Sequence, residues 1–125
     1  MNIAVWIVSG LLAAVFLAAG ASKLPVTKEK LATDPKLAWA AGKPAGLVRF
    51  IGAAEVAGAL GLILPGAFDV ATWLVPVAAV GLALIMVGAA ITHAQRKEWP
   101  NVAVNVVLFA MAVFVAIERF GPQSF

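Results

Sequence analysis

Residues 1–22, MNIAVWIVSGLLAAVFLAAGAS, contain no charged side chain. An α-helix needs about 20 apolar residues to cross the roughly 30 Å hydrocarbon core of a bilayer, and positions 2–21 supply that length. A cleaved signal peptide would begin with basic residues and have a shorter apolar core. No Lys or Arg precedes this run. The stretch therefore predicts a retained membrane-spanning helix over residues 2–21.

The composition of the whole chain also indicates a membrane environment. The 125 residues are 63% hydrophobic and 12% charged, whereas soluble domains have about 45–50% and 25%. A small domain cannot bury so many apolar side chains from water, which excludes a water-soluble enzyme. The chain has no Cys and one His, so we expect no thiol chemistry and no metal site. The basic residues behind the net charge of +3 flank apolar runs, which favours contact with anionic lipid over nucleic acid.

Three further apolar runs follow a polar loop over residues 23–46. Pro65 and Gly66 are expected to end the second run, and Pro76 lies in the first turns of the third, where a missing N–H matters least. Within the loop, residues 35–41 are expected to form a short interfacial helix capped by Asp34. Backbone groups in lipid must hydrogen-bond internally, so the runs are expected to be helices. The predicted fold class is all-α, a single-domain up-down bundle of four transmembrane helices over residues 2–21, 47–64, 70–92 and 101–118.

The distribution of basic residues predicts the orientation in the membrane. Of the nine Lys and Arg residues, Arg119 alone belongs to the side of the termini, and the rest lie in or beside the first and third loops. Basic residues accumulate on the cytoplasmic side of membrane proteins. We therefore expect a multi-pass protein of the cell (inner) membrane, with loops 23–46 and 93–100 in the cytoplasm and both termini outside.

Glu55 is the residue least expected in this setting. It lies eight residues from Leu47 and nine from Leu64, which places it roughly 12 Å deep at 1.5 Å per residue. A central charge facing lipid costs about 2.5–3.5 kcal/mol, so Glu55 must face the bundle interior, be paired or be protonated. Arg49 lies six positions away, about 120° around the helix, so the partner is expected from another helix. The alternative to a functional site is a buried structural carboxyl.

Other polar side chains share the half of the membrane that contains Glu55. His93 could exchange protons with a ligand or simply cap its helix. Asn101 and Asn105, at i and i+4, could orient a ligand or only hydrogen-bond between helices. This one-sided polarity predicts a pocket that opens toward the cytoplasm. The candidate ligand-binding residues are Lys23, Arg49, Glu55, His93, Asn101 and Asn105.

Three stretches of the sequence resemble DoxX-like membrane proteins. They are residues 16–24 (FLAAGASKL), residues 49–65 (RFIGAAEVAGALGLILP), which are the most specific, and residues 76–93 (PVAAVGLALIMVGAAITH). The fourth span, with Asn105 and Arg119, fits the family outline. The resemblance implies a four-helix membrane domain. Some relatives are subunits of a thiosulfate:quinone oxidoreductase, and others associate with antioxidant enzymes. Without Cys, a redox role here would act through a bound quinone or a partner's cofactor.

The functional hypothesis is a polar pocket around Glu55 that binds a small amphipathic ligand, with a quinone as the candidate cofactor, in support of a membrane redox system. Glu55 would accept a hydrogen bond or proton, and Lys23 and Arg49 would hold a polar headgroup. The partners expected are the lipid bilayer and a membrane redox protein, with a homo-oligomer as an alternative role for the small-residue spacing. Two other functions stay open: a non-catalytic assembly subunit, and a small protein that handles lipid or solute.

Overall fold

The structure, a computed structural model, describes all residues of the chain, 1–125. Every regular element is helical, and four of the helices are long, which confirms the predicted fold class. Both α1 and α5 are slightly longer than their expected spans. In chain order the elements are α1 (Asn2–Lys23), α2 (Lys28–Thr33), a 3₁₀ helix (Pro35–Ala40), α3 (Ala45–Phe68), α4 (Leu74–Gln95) and α5 (Trp99–Phe120).

The connection between α3 and α4 differs from the sequence expectation. Pro65 does not end the second span, because α3 continues to Phe68. In apolar surroundings, continuing the helix is the way to satisfy the N–H groups that follow the proline. The helix ends at Asp69, which has a left-handed φ of 52° and donates its N–H to the Pro65 carbonyl. Ala71 also has a positive φ, 48°, and this turn delays the start of α4 to Leu74 rather than residue 70.

The polar loop is more ordered than the sequence indicates. The short helix after Asp34 is confirmed, since Asp34 Oδ1 accepts a hydrogen bond of 2.9 Å from the Lys36 N–H. The additional helix α2 was not expected, and the Thr27 side chain caps it. A small apolar cluster of Val26, Ala40 and Val48 holds the loop against the start of α3. The loop therefore covers one end of the bundle.

The four long helices form a closed ring around one apolar core. Helix α1 packs on α3, α3 on α4, α4 on α5, and α5 on α1. The largest fully buried side chains in the core are Phe16, Leu12, Leu62 and Leu82. Because the helices alternate in direction, the loop with α2, the end of α4 and the start of α5 lie at one end of the ring.

The outer surface of the ring is apolar. Large side chains such as Ile3, Phe50 and Leu84 are exposed. Each of the four long helices is long and apolar enough to cross a membrane. An apolar surface of this extent would be a liability in water and matches a lipid environment. The structure and the sequence therefore agree on a multi-pass membrane protein.

Candidate functional site

Helices α1 and α3 touch backbone to backbone where Gly20 faces Gly52. A Cβ atom built on Gly20 would lie 2.6 Å from the Gly52 carbonyl oxygen, and one built on Gly52 would lie 2.7 Å from the Gly20 carbonyl oxygen. Only glycine at both positions permits this approach, which is the role of small residues in membrane helix packing. Lys23 and Glu55 each lie three residues further along their helices, and because α1 and α3 are antiparallel they lie on opposite sides of this contact along the helix axes.

Lys23 and Glu55 form an ion pair between these two helices, in which Glu55 is buried and Lys23 is partly exposed. Lys23 Nζ donates to Glu55 Oε1 over 2.6 Å and lies 3.4 Å from the Ala19 carbonyl oxygen. Glu55 is only 2% exposed, so its charge is taken from water and compensated by a cation from another helix. The expectation of a partner outside α3 is thus confirmed, and Arg49 is not that partner.

A cavity of about 490 Å³ adjoins the ion pair. Its walls come from all four long helices and from the loop, and they are mostly apolar. Four of the six candidate residues line it, namely Lys23, Glu55, His93 and Asn105, whereas Arg49 and Asn101 do not. Trp39 and Lys43 of the loop also line it. The structure therefore brings together most of the predicted polar residues in one internal space.

Asn105 is the polar side chain that α5 contributes to this cavity. The residue is 9% exposed, and its Nδ2 group lies 3.6 Å from the Met86 sulfur, the distance of a weak hydrogen bond. A thioether sulfur can only accept, so the nitrogen is the amide atom that faces it. The other amide atom, Oδ1, is buried and has no hydrogen-bond partner.

His93 lies at the end of α4 in a small polar network. Its Nδ1 atom is 2.9 Å from Glu98 Oε1 and 3.3 Å from Asn101 Nδ2. Glu98 Oε1 also accepts from Arg96 Nε over 3.0 Å. The hydrogen bond with His93, followed by the interactions with Arg96, holds the pKa of Glu98 below its ordinary value, and partial desolvation opposes them. Glu98 thus fixes the ring that lines the cavity.

The other two candidate residues do not line the cavity. Arg49 Nη1 donates to the Val26 carbonyl over 3.3 Å, which ties the loop to α3. Asn101 contacts the cavity only through His93. Sequence reasoning missed the positions of Trp39 and Glu98 in the site. Glu98 lies five positions after His93, across a helix end, and this short spacing could have indicated their contact. Nothing in the local sequence indicated that Trp39 would point toward the bundle.

Arg119 occupies the opposite end of the bundle, and the structure buries it there. The residue is 4% exposed, and its Nη1 donates to Asn2 Oδ1 over 2.7 Å and to the Gln123 carbonyl over 2.8 Å. Its guanidinium carbon also lies 4.1 Å from the Phe125 ring centre and 5.4 Å from that of Trp6. The sequence placed Arg119 on the side of the termini without a partner, and the structure shows that it joins the C-terminal tail to α1.

These features define a class: a four-helix, multi-pass membrane protein with an ion pair between two helices beside a partly open cavity. The chain belongs to the DoxX-like family, whose model matches residues 7–115. The match covers the close contact, the ion pair and the cavity-lining residues. No curated protein and no solved structure matches the chain. No group of His, Cys, Asp and Glu side chains is arranged to hold a metal ion.

Proposed function

We propose that this protein binds a small amphipathic ligand in the cavity beside Glu55, with a quinone as the candidate, and thereby supports a membrane redox system. The observation that carries the proposal is the Lys23–Glu55 pair, with its buried carboxylate, beside a largely apolar space of about 490 Å³. Ligand pockets typically enclose about 300–1,000 Å³ and combine apolar walls with a few placed polar groups. A quinone would supply reversible transfer of two electrons and two protons.

Each residue around the cavity would have a role in ligand binding or proton transfer that follows from its position. The apolar walls take up a ring and tail, and Lys23 offers an ammonium donor close to the Glu55 carboxylate. His93, which lines the cavity and is also bonded to the partly exposed Glu98, can pass a proton between the loop and the cavity. Arg49 and Asn101 do not line the cavity and would not contact the ligand.

Fluorescence quenching of Trp39 tests the proposal directly, because Trp39 lines the cavity. We expect decylubiquinone to quench the purified protein saturably in nanodiscs, and the Trp39→Phe variant to lose that component. Gly88→Leu should abolish the saturable component, because Gly88 lines the cavity and a Cβ there meets nothing within 4 Å. The new side chain therefore fills the cavity without displacing backbone.

Gly81→Leu is the matched control for this experiment. Gly81 lies seven residues earlier on α4, also has nothing within 4 Å of its Cβ position, and does not line the cavity. We expect Gly81→Leu to bind like the unchanged protein. Equal binding by the two leucine variants, or quenching that never saturates, would refute binding in this cavity. Lipid extraction and a visible-region spectrum of the purified protein then identify the natural ligand.

One observation favours the alternative of an assembly subunit. Lys23 and Glu55 compensate each other's charge without any ligand, as a purely structural pair would. In that case Glu55→Gln would lower stability, leave ligand quenching absent, and crosslinking would recover a stoichiometric protein partner. Under the ligand-binding proposal, Glu55→Gln instead weakens decylubiquinone binding in the protein that still folds.

We also propose the cell (inner) membrane as the location, with the loop containing α2 in the cytoplasm. The excess of Lys and Arg at that end supports this orientation. The chain contains no Cys, so single cysteines report on sidedness without background. A membrane-impermeant maleimide applied outside the cell should label Ser124→Cys and not Lys30→Cys. The opposite labelling pattern would invert the assignment while leaving the cavity unchanged.

A further inference from the structure

Lys43 is the lysine of the cavity wall whose charge no carboxylate compensates. The ionisable side chains that line the cavity are those of Lys23, Lys43, Glu55 and His93. Glu55 pairs with Lys23, and His93 pairs with Glu98, which does not line the cavity. None of the ion pairs in the chain includes Lys43. The cavity wall therefore has an excess positive charge, located where the loop closes over the bundle.

The ammonium group of Lys43 is held only weakly by the protein. Its Nζ atom has one hydrogen-bond partner, the carbonyl oxygen of Trp39, at 3.4 Å, and the residue is partly exposed. A lysine ammonium is a compact charge with three donors on a flexible stem, so it can turn toward an anion in the cavity. The attraction between opposite charges also acts over several ångströms in protein surroundings and does not require direct contact.

An apolar side of the cavity separates Lys43 from Glu55. Leu47, Ile51 and Glu55 follow Lys43 at intervals of four residues, and all four residues line the cavity. Residues four apart share one face of a helix, so this face of α3 extends from the loop to the ion pair. Glu55 lies ten residues after Ala45, the first residue of α3, which is roughly 15 Å along the helix axis. The uncompensated cation and the ion pair therefore lie at different depths.

We propose that the cavity binds an amphiphile whose anionic head group lies at Lys43 and whose apolar body extends along Leu47 and Ile51 toward Glu55. Carboxylates, sulfonates and phosphates with one apolar chain or ring belong to this class, and so do quinones with an acidic substituent. The inference rests on the proposed function, because it assumes that the cavity takes up an amphiphile, and it adds the charge and the orientation of the head group. The excess of basic residues at this end of the bundle favours the approach of an anion.

Two probes of nearly equal shape isolate the contribution of the charge. Dodecanesulfonate is an anion, whereas dodecanesulfonamide has an amino group in place of one oxygen and is neutral. Each probe is titrated by calorimetry into the protein in phosphatidylcholine nanodiscs, and titration into empty nanodiscs corrects for partitioning into lipid. We expect the sulfonate to bind about tenfold more tightly, the order of magnitude for one hydrogen bond to a charged group.

Three variants in the loop assign this preference to Lys43. Lys43→Gln removes the charge, so the two probes should then bind about equally, whereas Lys43→Arg keeps the charge and should keep the preference. Lys36→Gln is the matched control, because Lys36 is exposed in the same loop and does not line the cavity. A preference that persists in Lys43→Gln, or that Lys36→Gln reduces equally, would overturn the assignment.

Phosphatidylglycerol distinguishes a membrane lipid from a free amphiphile as the source of the anionic head group. The sulfonate titration is repeated in nanodiscs that contain this lipid, and Lys43→Gln corrects for the general repulsion between the sulfonate and an anionic bilayer. If the lipid head group occupies the site, the sulfonate preference of the unchanged protein falls to that of Lys43→Gln. If the preference persists, the source is a free single-chain amphiphile. Both results support an anionic head group at Lys43.

The unchanged protein alone separates the failure of this inference from the failure of the proposed function. Equal binding of the two probes, or tighter binding of the sulfonamide, would overturn the inference and leave the proposed function standing. Absence of saturable binding by both probes, while decylubiquinone still quenches Trp39 saturably, would have the same meaning. Failure of both probes and of decylubiquinone would overturn the proposed function and this inference with it.

Discussion

The close contact between α1 and α3 predicts that Gly20→Ala destabilises the protein. The added methyl group would lie 2.6 Å from the Gly52 carbonyl oxygen and 2.9 Å from the Val56 backbone nitrogen. Both opposing atoms belong to the backbone of α3, so no side chain can rotate away to make room. The two helices must therefore separate by several tenths of an ångström along this contact.

The size of the effect follows from two opposing terms. Overpacking a well-packed contact typically costs about 1–3 kcal/mol, whereas replacing a helical glycine by alanine gains up to about 1 kcal/mol. Gly10→Ala, on the same helix, isolates the second term, because a Cβ at Gly10 meets nothing within 4 Å. The difference between the two variants is thus the cost of the contact. We expect it near 2–3 kcal/mol, since the obstacle is rigid backbone.

The assay is equilibrium unfolding in mixed micelles, followed by circular dichroism as the fraction of denaturing detergent rises. Gly10→Ala should be as stable as the unchanged protein or slightly more stable, and Gly20→Ala should unfold at a lower denaturant fraction. If the two alanine variants have the same free energy of unfolding, the backbone contact between α1 and α3 is not as tight as the structure shows, and the reasoning fails.

Two further predictions concern charged pairs. Lys23→Met should lower the free energy of unfolding by about 3 kcal/mol, because it leaves the Glu55 carboxylate buried and unpaired, and adding Glu55→Leu should restore most of that loss in the same unfolding assay. The second pair concerns Glu98, whose pKa the hydrogen bond with His93 holds below the ordinary 4.5. A lowered folded-state pKa stabilises the protein at pH values above the unfolded-state pKa. This stabilisation is lost as the pH falls through the folded-state pKa. Thermal unfolding should therefore show Glu98→Gln less stable than the unchanged protein at about pH 6, and this difference should shrink as the pH falls below 4.5.

The bundle could be predicted from the sequence because its main determinant is local. Four long apolar runs, of which only the second contains a central charge, have few options in lipid other than helices, and the chain order makes neighbouring helices alternate in direction. The ends of the helices were harder to predict from the sequence. The end of α3 depends on the left-handed conformation of Asp69 and Ala71, and nothing in their side chains requires it. Pro65 was misleading as a stop signal, because α3 continues past it to Phe68.

The part of the candidate site that could be predicted from the sequence is the part that depends only on how deep a residue lies in the membrane. A carboxylate far from either end of a span needs a partner, and Glu55 finds one in Lys23. The direction in which a side chain points around its helix depends on tertiary packing. The sequence could not predict that direction for Arg49 and Arg119. Arg49 turns to the loop carbonyl of Val26 instead of the cavity. Arg119, for which the sequence indicated no partner, lies against two aromatic rings.

The spacing of the close contact and the ion pair explains why one stretch of each helix carries both. Gly20 precedes Lys23 by three residues, and Gly52 precedes Glu55 by three. Residues three apart lie on one face of a helix. Because α1 and α3 run antiparallel, Lys23 and Glu55 lie on opposite sides of the glycine contact along the helix axes. The Lys23 Cβ packs 2.7 Å from a Cβ built on Gly52, and the lysine side chain turns back along α1, where Nζ lies 3.4 Å from the Ala19 carbonyl oxygen, to reach Glu55. A change that separates α1 from α3 at the glycine contact must therefore weaken the ion pair and move one wall of the cavity. Helix packing and the chemistry of the site cannot vary independently in this fold.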